Sequence, residues 1–117
     1  MQNSQVLWMV AGSVDERPGH FILDTGCSMT VVEGQPDELL IVGVDPDGAQ
    51  IKGGEGVSYL RVGGSTEEML VAVFETLPVL GVLEKTAGMR PLGLLGNDWL
   101  RLTKAVIDAD RLELMFK

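Results

Sequence analysis

The apolar residues of this chain fall into short runs broken by Gly, Pro and Asp, a rhythm that predicts strands rather than long helices. Residues 6–10 are apolar, residues 12–19 are polar and glycine-rich, and Phe21-Ile22-Leu23 follows, which reads as strand, turn, strand. Further strands are expected at residues 39–44, 57–62, 69–74, 105–107 and 112–116. Gly63-Gly64 before Ser65-Thr66 predicts a hairpin turn joining 57–62 to 69–74. Asn97-Asp98-Trp99-Leu100-Arg101-Leu102 has no β-branched residue and predicts a short helix, with Asn97 capping it after Gly96. The stretch from Thr76 to Pro91, with Pro78, Gly81 and Gly88, reads as a long connection. The expected architecture is a small, mainly β domain: a closed β-barrel with one short C-terminal helix.

Length and charge narrow the function classes. A chain of 117 residues fits one domain, 1–117, with a single core. Its 17 acidic against 9 basic residues leave a net charge of −8, which argues against nucleic acid as a partner and against an electrostatic membrane anchor. One Cys and one His build neither an intrachain disulfide nor a structural zinc site. The first residues lack the pattern of a signal peptide, and no apolar stretch is long enough to span a bilayer. A soluble, cytoplasmic setting is the expectation.

Candidate chemistry centres on Phe21-Ile22-Leu23-Asp24-Thr25-Gly26-Cys27-Ser28. A carboxylate directly after three large apolar residues sits at the mouth of a buried strand, where burial raises its pKa unless donors surround it. Gly26 permits a tight turn and a close approach, and the Thr25 hydroxyl can bond backbone across such a turn. Read alone, Asp-Thr-Gly is also good chemistry for an ordinary strand-to-turn exit.

A second segment alters that balance. Asp24-Thr25-Gly26, followed by a small residue and Ser28, resembles the active-site loop of aspartic proteases. Leu94-Leu95-Gly96-Asn97-Asp98-Trp99-Leu100 resembles the hydrophobic-hydrophobic-Gly strand and short helix that close the fold in retroviral and retrotransposon-type members. Ala105-Val106-Ile107-Asp108 and Leu112-Glu113-Leu114 resemble the final strands of those domains. In this order and spacing the chain resembles a retropepsin-like domain almost throughout.

The resemblance implies an aspartic endopeptidase with two carboxylates sharing one proton, one acting as base on water and the other polarising the scissile carbonyl. Only one Asp-Thr-Gly is present, and Asp108 lacks the Thr-Gly and reads as a turn residue. Asp24 is therefore expected to meet Asp24 of a second chain, making the active unit a homodimer. Residues 6–10 and 112–116 are candidates for an intersubunit sheet, as in retroviral relatives. By the same resemblance Thr25 interlocks across the dimer, Gly26 lets the loops approach, and Ser28 contacts substrate backbone or the closing helix. Cys27 departs from the Ala or Ser usual there and reads as packing; thiol catalysis with His20, the sole His, lacks support for the geometry of a base.

A retropepsin also needs a flap. Residues 39–44 and Asp45-Pro46-Asp47-Gly48 read as strand and type I turn, which makes Asp45, Pro46, Asp47 and Gly48 the expected flap tip. The competing tip is Gly53-Gly54-Glu55-Gly56. Trp8 and Trp99 are expected in the core, and Asn97-Asp98 is expected to cap the helix or pair with an Arg. The implied partners are a second copy and a peptide or protein substrate, within a polyprotein or a host protein; no metal or organic cofactor is implied. A catalytically weak or inactive dimerisation or peptide-binding module on the same fold is the alternative, and an unrelated small barrel a third.

Overall fold

The computed structural model of the chain describes residues 8–35, 40–44, 46–108 and 113–115. In chain order its elements are β1 (Met9–Val14), β2 (Arg17–Leu23), β3 (Val31–Glu33), β4 (Leu40–Val44), β5 (Gln50–Val62), β6 (Ser65–Phe74), α1 (Pro78–Ala87), β7 (Gly93–Leu95), α2 (Asn97–Thr103), β8 (Val106–Asp108) and β9 (Glu113–Met115). The two longest strands show why a sheet forms. Ser58, Leu60 and Val62 of β5, and Met69, Val71 and Val73 of β6, are buried, while Val57, Tyr59, Glu68 and Leu70 between them are exposed. That period of two is what a sheet with one wet face requires. Gly63-Gly64 forms the two-residue turn between them, with Gly63 at φ 58°.

The sheet runs β1-β2-β7-β3-β6-β5, and pairing of β1 with β5 closes it into a six-stranded barrel. β7 is inserted between β2 and β3, parallel to the first and antiparallel to the second. β4 pairs with the other end of β5, on the edge that β1 occupies further along, so the β4–β5 hairpin lies outside the ring. Phe21, Val32, Leu60, Val71 and Leu95 fill the interior, and α2 adds the fully buried Trp99. Each such side chain removed from water contributes about 1.5–3 kcal/mol. Trp8 is only half-buried.

Several local expectations change. Residues 12–19 are not one long turn: only Asp15-Glu16 turns, at φ 46° and 72°, and both strands run on to it. Asp15 is held there by its N–H to Tyr59 O (2.9 Å) and by Tyr59 N–H to its Oδ1 (2.9 Å). Gly12 serves close packing rather than turning, since a Cβ there would collide with Arg61 O of β5. The connection from Thr76 to Pro91 contains α1, so the described residues carry two helices rather than the one expected. Pro78 stands at the first helical position and Gly88 closes the helix at φ 82°, its N–H bonded to Glu84 O. Asp108 ends β8, where it pairs with Glu113, and is not a turn residue. Of residues 6–10, Met9 and Val10 belong to β1 and pair with β2, while 6 and 7 lie outside the described residues. No helix among the described residues is long and apolar enough to cross a membrane.

Candidate active site

Phe21 and Ile22 are buried, which fixes the exit of β2 at the barrel wall. Asp24 extends the β2–β7 ladder by one step through its N–H to Leu95 O (2.9 Å). The chain then turns: Cys27 N–H donates to Asp24 O (3.1 Å), and Gly26 N–H donates to Asp24 Oδ1 (3.0 Å). Asp24 is half-buried, while Thr25, Gly26 and Ser28 are exposed. One carboxylate, held by a backbone donor, thus stands at the end of a rigid strand beside an open surface.

The loop rests on the segment after β7. Asn97 Nδ2 donates to Thr25 O (2.6 Å), and Asn97 N–H donates to Cys27 O (2.8 Å). Gly96 is needed for this contact, because a Cβ would lie 2.7 Å from Cys27 O and 2.9 Å from the Met29 carbonyl carbon. Gly96, not Asn97, is therefore the N-cap of α2, and the Asn97 side chain is committed to the loop instead. The Cys27 thiol donates to Met29 O (2.8 Å), a packing arrangement within the loop. His20 lies back along β2, opposite Ala11.

Sequence reasoning passed over Thr30, and for Asp98 it named only a helix cap or an Arg. Thr30 is fully buried and bonded to Asp98, and no Arg is paired with Asp98 among the described residues. A second missed cluster lies at the far end of β3. Glu33 accepts Leu77 N–H (2.7 Å) and a two-pronged ion pair from Arg90 (2.8 and 2.6 Å), fastening both ends of the α1 segment to the barrel. Burial pushes the Glu33 carboxyl up, but the Arg90 and Leu77 hydrogen bonds and the Arg90 and Arg17 charges outweigh it and hold it below its usual value.

Of the expected flap tip, Pro46, Asp47 and Gly48 lie in the β4–β5 connection, with Gly48 at φ 87°; Asp45 lies outside the described residues. Gly53-Gly54-Glu55-Gly56 is inside β5 rather than at a tip. No group of three or more His, Cys, Asp or Glu able to hold a metal occurs among the described residues. Two clefts, of about 970 and 670 Å³, are lined among others by Tyr59 and Arg61 and by Glu33 and Gly56, and Asp24 lines neither.

No family model and no curated protein matches the chain in sequence. Solved structures do match in shape. The retroviral protease-like domain of Ddi1 from Leishmania major superposes with a TM-score of 0.65 at 14% identity, over 97% of this chain and 90% of that one. EIAV protease complexed with the inhibitor HBY-793 superposes with a TM-score of 0.56 at 15% identity, over 92% and 98%. With its closed barrel and its β7 insertion between β2 and β3, the chain has the fold of a retropepsin-like domain.

Proposed function

We propose that the chain is an aspartic endopeptidase whose active unit is a homodimer. The observation that carries this reading is Asp24 itself: a half-buried carboxylate at the end of β2, on a loop braced from behind and open in front. Each chain supplies one such carboxylate, so two chains related by a two-fold axis supply the pair. Two carboxylates in contact hold one proton between them. The ionised Asp24 takes a proton from water as the water oxygen bonds the peptide carbon, and the protonated Asp24 gives its proton to the carbonyl oxygen. Collapse of the resulting diol breaks the C–N bond, with a proton passing to the leaving nitrogen.

Thr25 and Gly26, exposed beside Asp24, form the meeting surface of the two loops in this reading, and Ser28 faces the substrate. The β4–β5 hairpin, with Pro46, Asp47 and Gly48 in its connection, is the flap that covers an extended peptide paired through its backbone. The β8–β9 ribbon, a sheet of its own, is the element offered for pairing between subunits. The substrate class is a peptide or an unfolded segment of protein, including sites within a polyprotein.

Incubation of the purified chain with oxidised insulin B chain between acid and neutral pH tests the proposal. Cleavage that is blocked by a statine-containing peptide and rises more steeply than linearly with protein concentration is the expected result. A folded, dimeric chain that binds the statine peptide without cleaving any substrate would place it with the binding modules instead.

A further inference from the structure

The loop that leaves β2 at Asp24 re-enters the barrel at β3, and a single carboxylate closes its far end. Asp98 Oδ1 accepts hydrogen bonds from Thr30 N–H (2.9 Å), the Thr30 hydroxyl (2.7 Å) and Trp99 N–H (2.7 Å), and Oδ2 lies 3.0 Å from Thr30 N. The Thr30 hydroxyl oxygen in turn accepts Gly96 N–H (3.0 Å). Thr30 has no exposed surface, so each of these groups would be stranded if its partner were lost. The donors are neutral, and together they engage both oxygens of the carboxylate.

Every other hydrogen bond described between the loop and the rest of the barrel below residue 30 goes to the same corner. Asp24 N–H reaches Leu95 O, and Thr25 O and Cys27 O are both taken by Asn97. Asp98 thus sets where Gly96 and Asn97 sit, and Asn97 sets where Thr25 and Cys27 sit. We infer that Asp98, acting through Thr30 and Asn97, is a positioning residue for Asp24: its carboxylate locks the β7–α2 corner against the loop, so that the Asp24 carboxyl is presented at one fixed place. The inference rests on the reading of Asp24 as the catalytic group. A lock of this kind matters to an active site because displacement by about 1 Å costs on the order of 100-fold in rate.

The test compares the full chain with Asp98→Ala, Asp98→Asn and Thr30→Val. Two readouts are taken: kcat and KM for oxidised insulin B chain, and the amide resonance of Gly26, whose N–H points at Asp24 Oδ1. For Asp98→Ala, kcat is expected to fall about 100-fold with KM within about twofold, and the Gly26 resonance is expected to move. Asp98→Asn keeps the Oδ1 acceptor and is expected to restore kcat to within about tenfold and the Gly26 resonance toward its wild-type position. Thr30→Val keeps the Thr30 N–H bond but loses the hydroxyl, and is expected to fall between the two. If Asp98→Ala does not fold, Asp98→Asn and Thr30→Val decide the matter alone. Folded variants that unfold at lower temperature yet keep the Gly26 resonance and kcat of wild type would overturn the inference, leaving Asp98 a purely structural lock. If the wild-type chain cleaves nothing, the protease reading fails, and the Gly26 resonance still decides whether Asp98 positions Asp24.

Discussion

The Asn97 side-chain amide donates a 2.6 Å hydrogen bond to the carbonyl oxygen of Thr25, joining positions 72 residues apart. A donor is required at that atom, because the group it meets can only accept. Asn97→Asp sets a carboxylate oxygen against the Thr25 carbonyl and is expected to cost about 1–3 kcal/mol of stability and about 10–100-fold in kcat/KM. Asn97→Ala only deletes the bond and is expected to cost less. Urea denaturation and peptide cleavage measured side by side test the order, and an Asn97→Asp chain as stable and active as wild type would count against it.

Gly96 gives a second contrast. Its φ of −98° suits any residue, so the reason for glycine is collision with Cys27 O and Met29 rather than backbone conformation. Gly96→Ala is expected to destabilise the chain by about 1–3 kcal/mol, as overpacking against unyielding backbone does. Gly64→Ala, where nothing lies within 4 Å of the added carbon, is expected to be nearly neutral. Equal melting temperatures for the two variants would refute the close approach.

The Glu33–Arg90 pair makes stability depend on acid. The folded carboxyl sits below its usual value of 4.5, so its contribution is complete above the unfolded value and is lost as pH falls through the folded one. Arg90 is 38% exposed, which screens the pair, and Glu33→Gln is expected to cost only about 1 kcal/mol at neutral pH. Thermal unfolding of the two proteins should converge below pH 4.5 as the wild type loses the pair. A difference that persists unchanged into strong acid would contradict this assignment.

Charge bears on assembly. Each chain carries −8, so two chains approach against net repulsion that salt screens. Sedimentation equilibrium is expected to show tighter dimers as ionic strength rises. Weaker dimers on adding salt would point to attractive charge pairs in the interface.

What the sequence disclosed was local. Phe21-Ile22-Leu23 before Asp24-Thr25-Gly26, and Leu94-Leu95 before Gly96, carry their meaning within a few residues, so the loop, the inserted strand and the barrel class were legible. The bracing of the loop was not, because Thr30 and Asp98 meet across 68 positions, and Glu33 and Arg90 across 57. α1 was hidden for a different reason. It buries only Leu80 while Val82 stays 66% exposed, so no apolar stripe marks it, and its Pro78 and Gly88 read as breaks although they are its start and stop. Gly12 misled in the same way, being small because β5 passes close by rather than because the chain turns.

The central claim is that one active site uses Asp24 from two chains, and subunit mixing tests it most directly. Wild-type and Asp24→Asn chains are combined at fixed total concentration and allowed to exchange before peptide cleavage is measured. Because a mixed dimer holds only one carboxyl of the pair, activity should follow the square of the wild-type fraction, falling to about one quarter in an equal mixture. A linear fall to about one half would show that each chain acts alone, and cleavage by Asp24→Asn itself would remove Asp24 from the chemistry.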